Sequence, residues 1–201
     1  VLSNWINHSL PLCCQNSVKI ICGRAATTER KYILKNIHVN AVIMGHIDGS
    51  LGDILTSIKE TGTLNLDING LALIKDGKYI ENKNKLAICD MDTLPFSNYE
   101  YMRYKKNPIC VMESSRGCHG KCIFCEGYMC RSFSDGPLFR AKSPLRTVDE
   151  ILNVINNYGC RIFSFADDNF FINGDPLSFK RAEEFAKIII DKKIKIRFTI
   201  E

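Results

Sequence analysis

The 201-residue chain carries 27 Lys and Arg residues against 22 Asp and Glu residues, a formal net charge of +5. This mild excess contains no dense basic run, so it does not indicate nucleic-acid binding. The ten cysteines accompany clear helix and strand patterns, which argues against a secreted disulfide scaffold and for reduced thiols in a cytoplasmic protein. No apolar run approaches the ~20 residues of a membrane-spanning helix, so no membrane association is indicated. The chain starts at Val1 and stops at Glu201 inside an expected strand, which predicts a fragment of a longer protein.

The first 60 residues alternate between apolar runs and amphipathic patterns. Apolar runs next to glycine predict buried strands, and apolar residues three or four positions apart predict helices. The expected elements are strands at 18–22 and 41–45 and helices at 27–36, capped by Thr27 or Thr28, and at 50–59, with Leu51, Ile54, Leu55 and Ile58 on one buried face. This strand–helix–strand–helix order predicts a parallel α/β sheet.

A hairpin and a connector are predicted next. Residues 71–74 and 78–80 flank the Asp76-Gly77 pair, which favours a tight hairpin turn. The two arms are short and flanked by Asn and Lys, so we expect a surface appendage. Residues 85–106 show little periodicity and are predicted to connect two domains.

The second half of the chain shows a further alternation of strands and helices. The expected elements are strands at 109–113, 161–166 and 194–200, and helices that begin at the Thr147–Glu150 capping-box pattern and at Asp175-Pro176. Gly159 is expected to end the first of these helices. Apolar and polar residues alternate in the last strand, which indicates one face on a core and the other towards either a wet barrel lumen or solvent.

Three cysteines follow the first of these strands on one short loop. Cys118 and Cys122 are separated by three residues, and Cys122 and Cys125 by two. Three thiolates at this spacing can occupy three irons of an iron–sulfur cube and leave the fourth iron open for a cofactor or substrate. With Cys130, they can instead form a closed zinc site or an electron-carrying cluster. A purely structural group of cysteines is a further alternative.

The run Cys118-His119-Gly120-Lys121-Cys122-Ile123-Phe124-Cys125 resembles the cluster motif of the radical S-adenosylmethionine (radical SAM) enzymes. The resemblance implies a 4Fe-4S cluster held by Cys118, Cys122 and Cys125, whose open iron binds the amino and carboxylate groups of S-adenosylmethionine. It also implies that Phe124 contacts the adenine and that a flavodoxin or ferredoxin reduces the cluster. The reduced cluster would cleave S-adenosylmethionine to a 5′-deoxyadenosyl radical.

Other segments of the chain are similar to the radical SAM subgroup that has an N-terminal cobalamin-binding domain. These segments are Ile43–Gly49, Asn69–Leu71, Cys89–Phe96 and Phe139–Pro144. His46 and Asp48 stand where the subgroup usually has glutamates, and Cys22-Gly23-Arg24 stands where it often has paired glycines. The resemblance implies an α/β fold in three parts: residues 1–84 as the second half of an open parallel, Rossmann-like cobalamin-binding domain, 85–106 as a connector, and 107–201 as the first half of a radical SAM partial (β/α) barrel.

Asp167 and Asp168 end the second strand of the predicted barrel. Adjacent carboxylates at a strand end can bind the amino group of S-adenosylmethionine through charge-assisted hydrogen bonds, as a Gly-Gly-Glu segment does in the wider family. The sequence leaves open which carboxylate makes the contact, and a turn with two solvated aspartates is the alternative. Arg140 and Lys142 are likewise expected either near the anionic parts of the cofactors or on a solvated loop.

The resemblance implies a radical SAM enzyme, with methylation of an unactivated carbon by methylcobalamin as the commonest outcome in the subgroup. The substrate is not identified by the sequence. Radical methylthiolation, or a ring-forming rearrangement without methyl transfer from cobalamin, is one alternative. A non-catalytic iron–sulfur or zinc module is the other. In each of the hypotheses that make the protein an enzyme, the cofactors carry out the radical chemistry, and the protein binds, orients and shields them.

Overall fold

The computed structural model describes residues 17–83, 86–104, 108–125, 127, 133–172 and 174–200. The expectations for Cys130 and Glu201 lie outside these residues. Contacts divide the chain into two compact units: the first comprises Val1–Ile88 and Gly120–Gly136, and the second Cys89–His119 and Pro137–Glu201. Domain limits near residues 84 and 107 stay predictions for the organisation of the whole protein.

The first unit is built on a four-stranded sheet. Its strands are β1 (Ile20–Cys22), β2 (Ala41–Ile43), β3 (Leu71–Lys75) and β4 (Lys78–Glu81), in that spatial order. As predicted, β1 and β2 are parallel, whereas β3 runs antiparallel to both β2 and β4. The sheet is therefore mixed, because the hairpin of β3 and β4 extends it. The short strand β5 (Leu86–Ala87) follows and pairs in parallel with β8 (Ser134–Asp135).

Helices cover both faces of this sheet. They are α1 (Arg24–Thr28), α2 (Arg30–Asn36) and α3 (Leu51–Thr61). Val42 and Ala72 face α1 and α2, whereas Ile43 and Leu71 pack with Ile54 of α3 on the opposite face. Of the apolar stripe predicted on α3, Ile54 and Ile58 reach the sheet. Leu51 and Leu55 are largely exposed, because they lie on the side of the helix that turns away from the strands.

Thr27 is not the helix cap predicted from the sequence, because α1 already begins at Arg24. Its hydroxyl donates to the carbonyl of Gly23 at 2.8 Å and accepts from the amide of Gly45 at 2.9 Å. The side chain is fully buried. Thr27 therefore ties the turn after β1 to the turn after β2, a long-range contact that local capping rules do not anticipate.

The hairpin turn at Asp76-Gly77 is confirmed, with φ values of 51° and 71° at its two residues. The expectation of a surface appendage is wrong. Leu71 and Ala72 are buried, and β3 pairs with β2 in the middle of the sheet. An apolar run of four residues is too short for periodicity to distinguish a core strand from an exposed arm.

The second unit contains a three-stranded parallel sheet. Its strands are β6 (Ile109–Met112), β10 (Ile162–Phe165) and β11 (Arg197–Thr199), in the spatial order β11–β10–β6. Ile162 pairs with Ile109 on one side and Arg197 on the other. Helix α4 (Pro144–Tyr158) lies in the chain between β6 and β10, and α5 (Pro176–Asp191) between β10 and β11. The parallel α/β arrangement is confirmed, whereas closure into a partial barrel stays a prediction.

One face of this sheet packs against both helices. The buried cluster is formed chiefly by Cys110, Met112, Val148, Ile151, Val154, Phe163, Phe165 and Phe185. Phe198 of β11 meets Phe165 and Phe185 edge to face, with ring centroids 6.1 and 5.8 Å apart. The opposite face leaves Ile109 and Val111 more than half exposed. The alternation predicted for the last strand thus places Phe198 on the core side.

The start of α4 differs from the prediction. The helix begins at Pro144, and the Ser143 hydroxyl caps it by accepting from the amide of Arg146 at 3.2 Å. The capping-box reading is wrong because Glu150 is fully buried in an ion pair instead of reaching back to a helix terminus. Gly159 ends the helix with φ 67°, as predicted.

The start of α5 is confirmed. The Asp175 carboxylate accepts from the amide of Leu177 at 3.0 Å, and Pro176 follows in the first turn. Among the described residues, no helix combines the length and apolar character that a membrane crossing requires.

Candidate cofactor-binding site

Along the chain, the predicted cluster cysteines follow the short strand β7 (Ser115–Gly117) and precede the short strand β8 (Ser134–Asp135). All three are free thiols; Cys118 is half-buried, and Cys122 and Cys125 are exposed. The amide of Cys125 donates to the carbonyl of Cys122 at 3.0 Å, so these two residues share one tight turn. Across the described ranges, no three His, Cys, Asp or Glu side chains are grouped so that they hold a metal ion. Ligation by these cysteines stays a prediction.

Phe124, the predicted adenine contact, is 87% exposed, and the neighbouring Ile123 is also fully exposed. Large apolar side chains exposed side by side mark an interaction site more often than isolated ones do. This exposure leaves the ring accessible to a ligand.

Asp167 holds the residue at which the cysteine loop leaves β6. Its Oδ1 accepts from the amide of Ser114 at 2.6 Å, and its Oδ2 accepts from the Ser114 hydroxyl at 2.5 Å. The carboxylate is only 4% exposed. Both oxygens are therefore engaged in joining the ends of β6 and β10, and Asp167 is not the solvated turn residue of the alternative reading.

Asp168 and Asn169, which follow Asp167, form hydrogen bonds with the residues after Ser114. Asp168 is half-buried, and its Oδ2 accepts from the amide of Gly117 at 3.1 Å. The Ser115 hydroxyl donates to the carbonyl of Asn169 at 2.7 Å. Consecutive residues 167–169 thus hold residues 114–117, which we call the loop root, directly before Cys118.

Gly117 is fixed in the loop root by its conformation as well as by its hydrogen bond. Its φ is 86°, and a Cβ atom added there would lie 2.1 Å from the carbonyl oxygen of Leu138. Strand β9 (Phe139–Ala141) pairs antiparallel with β7 at this point. Only glycine therefore allows β7 to approach the chain before β9.

The structure contradicts the solvated-loop alternative for Lys142, whereas a place of Arg140 and Lys142 near the anionic parts of the cofactors stays a prediction. The Lys142 ammonium is buried and lies 2.5 Å from the Glu150 carboxylate. The Arg140 guanidinium donates to the carbonyl of Cys89 at 3.2 Å. The expectation of a solvated loop is wrong for Lys142, because the fully buried Glu150 requires a cationic partner.

The segment predicted as an irregular connector is held against α4. Glu150 also accepts from the Tyr99 hydroxyl at 2.9 Å and from the amide of Ser97 at 3.2 Å. Burial and the Glu150 carboxylate raise the pKa of Tyr99 above its ordinary range. The Arg146 guanidinium lies 3.9 Å from the ring centroid of Phe96. These partners are separated by about fifty residues, which explains the lack of local periodicity.

Arg181 of α5 is a site residue that the sequence did not indicate. Its Nη2 donates to the Ser114 hydroxyl at 3.0 Å and to the carbonyl of Phe170 at 3.2 Å. Burial lowers the pKa of Arg181, and the nearby Asp167 carboxylate opposes this shift. Its position on an amphipathic helix gave no signal, because arginine usually occupies the solvated face of such helices.

The first unit presents an open edge at the carboxyl ends of β1 and β2, where parallel α/β sheets bind ligands. Gly23 follows β1 with φ 102°, and a Cβ atom added there would meet nothing within 4 Å. His46 and Asp48, after β2, are half-buried. The Arg24 guanidinium lies 4.0 Å from the position of a Cβ atom on Gly127, beside the turn that contains Cys125.

Comparisons of sequence place the chain near two curated proteins. No protein-family model matches it. It is 26% identical over 166 residues to an uncharacterized methyltransferase of Pyrococcus horikoshii, covering 80% of this chain and 34% of that protein. It is 23% identical over 173 residues to the anaerobic magnesium-protoporphyrin IX monomethyl ester cyclase of a Synechocystis species, covering 82% and 32%. The chain thus spans about a third of the length of these relatives.

Comparisons with solved structures cover a larger share of this chain than the sequence comparisons do. The radical S-adenosylmethionine methyltransferase TsrM from Kitasatospora setae, solved with cobalamin and a 4Fe-4S cluster, matches with a TM-score of 0.64 and 15% identity over 90% of this chain and 37% of that protein. The cobalamin-dependent S-adenosylmethionine radical enzyme OxsB, solved with aqua-cobalamin and S-adenosylmethionine, matches with a TM-score of 0.69 and 16% identity over 90% and 25%. The chain therefore has a fold similar to part of each of these two enzymes. The resemblance inferred from the cysteine motif is thereby confirmed at the level of the fold.

Proposed function

We propose that the protein containing this chain is a cobalamin-dependent radical SAM enzyme that methylates an unactivated carbon. The observation that carries the proposal is the combination of a three-cysteine loop with a loop root fixed by residues 167–169. Such a root gives the first ligand a defined starting position, and the free thiols of Cys118, Cys122 and Cys125 are the soft donors that iron requires.

The donor set fits a 4Fe-4S cluster held by three thiolates. When bound, the cluster supplies the electron that cleaves S-adenosylmethionine reductively to a 5′-deoxyadenosyl radical, and a flavodoxin or ferredoxin supplies that electron to the protein. Cys118, Cys122 and Cys125 hold the cluster, and Phe124 offers an exposed ring to the adenine. The chain's own contribution is to bind and orient these groups.

Asp167 and Asp168 have different roles in this proposal. Asp167 accepts two hydrogen bonds from Ser114 and orients the loop root. We assign the binding of the S-adenosylmethionine amino group to Asp168. This residue is half-buried, and its carboxylate accepts from the amide of Gly117, the residue directly before Cys118. A carboxylate in that place favours a bound ammonium by charge-assisted hydrogen bonding.

Cobalamin fits the open edge of the first unit. Gly23 leaves its backbone uncovered, and Thr27 holds the turns after β1 and β2 together by its hydrogen bond from Gly45. The residues at this edge would contact the corrinoid through backbone and side-chain polar groups. The relation to OxsB and TsrM, both solved with cobalamin, supports this assignment.

The test is electron paramagnetic resonance on the anaerobically reconstituted, dithionite-reduced protein, with and without S-adenosylmethionine. We expect a reduced four-iron signal that changes when the cofactor is added. Replacement of Cys118, Cys122 or Cys125 by Ala should abolish it, whereas the half-buried Cys89 is the matched control whose Cys89→Ala variant should retain it. A signal indifferent to S-adenosylmethionine would indicate an electron carrier, and bound zinc without sulfide would contradict the proposal.

A second candidate is a radical ring-forming reaction without methyl transfer, which the similarity to the Synechocystis cyclase favours. Cobalamin binding separates the two. Full-length protein that binds cobalamin and transfers a labelled methyl group from S-adenosylmethionine supports methylation. Cleavage of S-adenosylmethionine without bound cobalamin supports the second candidate.

A further inference from the structure

Arg181 lies on α5, and part of its guanidinium is buried beneath the loop root. Its Nη2 donates to the Ser114 hydroxyl and to the carbonyl of Phe170, and its Cζ lies 4.8 Å from the ring centroid of Phe170. Four aromatic side chains of the core pack against one another on the same side of the sheet, which leaves the cation little access to water. The arginine is therefore held at one defined place.

The position is a poor one if the role of Arg181 is to stabilise the fold. Its Nε and Nη1 atoms are buried and have no hydrogen-bond partner among the described residues. An unsatisfied buried donor costs free energy, and burial of a charge adds a desolvation penalty. Apolar side chains that replace a whole buried pair of charges often cost little stability, so such a pair is weak evidence of a stabilising role. The role of this arginine is therefore to be sought in the one nitrogen that has hydrogen-bond partners.

The hydrogen-bond directions around Ser114 are determined by its single hydroxyl proton. That proton is donated to Oδ2 of Asp167 at 2.5 Å, so the oxygen can only accept from Nη2 of Arg181 at 3.0 Å. The result is a directed relay from Arg181 through Ser114 to Asp167. Because the Ser114 amide also donates to Asp167, the relay fixes both the side chain and the backbone of the first residue of the loop root.

We infer that Arg181 is a positioning residue of the S-adenosylmethionine site, acting through Ser114 and Asp167 on the loop root that carries Cys118. The inference rests on the proposed function and adds to it a residue from a helix distant in sequence. Among the described residues, the hydrogen bonds of Arg181 go to Ser114 and Phe170, and it reaches Asp167 through Ser114. Because lysine keeps the charge but not the planar guanidinium, Arg181→Lys separates an effect on loop orientation from an effect on folding.

The test compares Arg181→Met and Arg181→Lys with Arg161→Met. Arg161 is the matched control, because it is an exposed arginine of the same unit whose guanidinium donates to one backbone carbonyl, that of Lys195, at 3.0 Å. Affinity for S-adenosylmethionine is measured by titrating the resonance signal of the reduced cluster. We expect Arg181→Met to weaken this affinity by about 10-fold or more. This is the range found when a residue that hydrogen-bonds to a ligating group, without touching the bound ion, is replaced. Arg181→Lys should recover part of the loss, and Arg161→Met should have no effect.

Two further measurements separate positioning from a general structural role. Iron and sulfide content should change little in Arg181→Met, whereas its thermal midpoint should fall because the buried Asp167 carboxylate loses a nearby cation. Arg181→Lys keeps that charge, so it should retain the midpoint while it recovers only part of the affinity. In a Ser114→Ala background, Arg181→Met should weaken binding hardly further, because the relay is already interrupted. Equal affinities for wild type and Arg181→Met, or additive effects of the two substitutions, would overturn the inference.

The inference can fail separately from the proposed function. If the wild type holds no cluster, the proposed function fails, and the relay is then tested in the cofactor-free protein by amide hydrogen exchange. The amide of Ser114, which donates to Asp167, should exchange faster in Arg181→Met than in Arg161→Met. Equal exchange in these two variants would exclude the relay.

Discussion

The buried ion pair between Lys142 and Glu150 gives the sharpest test of how the second unit is held together. The Lys142→Met substitution removes the cation but retains much of the apolar stem. Glu150 is 0% exposed and, within the described part of the chain, keeps only the Tyr99 hydroxyl and the amide of Ser97 as partners. Removal of one partner from a buried pair leaves an uncompensated charge, which costs about 3–5 kcal/mol. That loss is a large share of the ~5–15 kcal/mol of a typical domain.

The assay is urea unfolding followed by far-ultraviolet circular dichroism, which reports on helix content, to which α4 and α5, with 15 and 16 residues, contribute strongly. The matched control is Lys180→Met, because Lys180 forms an exposed pair with Glu184 at 3.9 Å that contributes at most about 0.5 kcal/mol. The double variant Lys142→Met/Glu150→Gln should recover most of the loss, since glutamine still accepts from Tyr99 and Ser97 without a charge. If Lys142→Met costs no more than Lys180→Met, or the double variant shows no recovery, the reasoning from an unpaired buried carboxylate is refuted.

Three other predictions concern single positions. Gly117→Ala should lower the thermal midpoint far more than Gly159→Ala: both residues have positive φ, which costs an alanine about 1–2 kcal/mol, but only at Gly117 would the Cβ meet a carbonyl oxygen, at 2.1 Å. Equal midpoints would contradict this. Burial raises the pKa of Cys110 to about 12, so the folded protein keeps a proton that the unfolded chain releases above pH 9. Unfolding free energy measured in urea should therefore fall by about 1 kcal/mol between pH 9 and pH 10, with a smaller fall in Cys110→Ala; an unchanged slope would exclude this thiol as the cause. Thr27→Val should cost about 1–3 kcal/mol in urea unfolding, because the Gly45 amide loses its acceptor, and a cost near zero would exclude a tie between the two turns.

Local chemistry predicted the parts of this fold that depend on neighbouring residues. The Asp76-Gly77 turn, the Asp175 cap and the Gly159 stop each arise from a few consecutive residues, and all three are confirmed. The cysteine spacing is local as well, which is why the motif indicated the correct fold group.

The failures involve residues whose partners lie far along the chain. The helical pattern that follows Thr27 predicted a cap, but its hydroxyl accepts a hydrogen bond from the amide of Gly45, eighteen residues later. Lys142 and Glu150 belong to a buried network with the connector, and no periodicity reveals such a pairing. Arg181 lies 67 residues from Ser114. A single sequence carries no signal for contacts of this kind, because the side chains concerned look like ordinary surface residues of their own elements.

The order of strands β6, β10 and β11 has a consequence for how the second unit forms during synthesis. Each strand lies beside the one that precedes it in the chain, and each helix joins two neighbours. As the polypeptide leaves the ribosome, β10 finds the open edge of β6 and β11 then finds the open edge of β10. No strand of this sheet has to be inserted between two strands that are already paired. Assembly can proceed from the amino end towards the carboxyl end by repeated addition at one growing edge, which shortens the time that apolar strands remain unpaired.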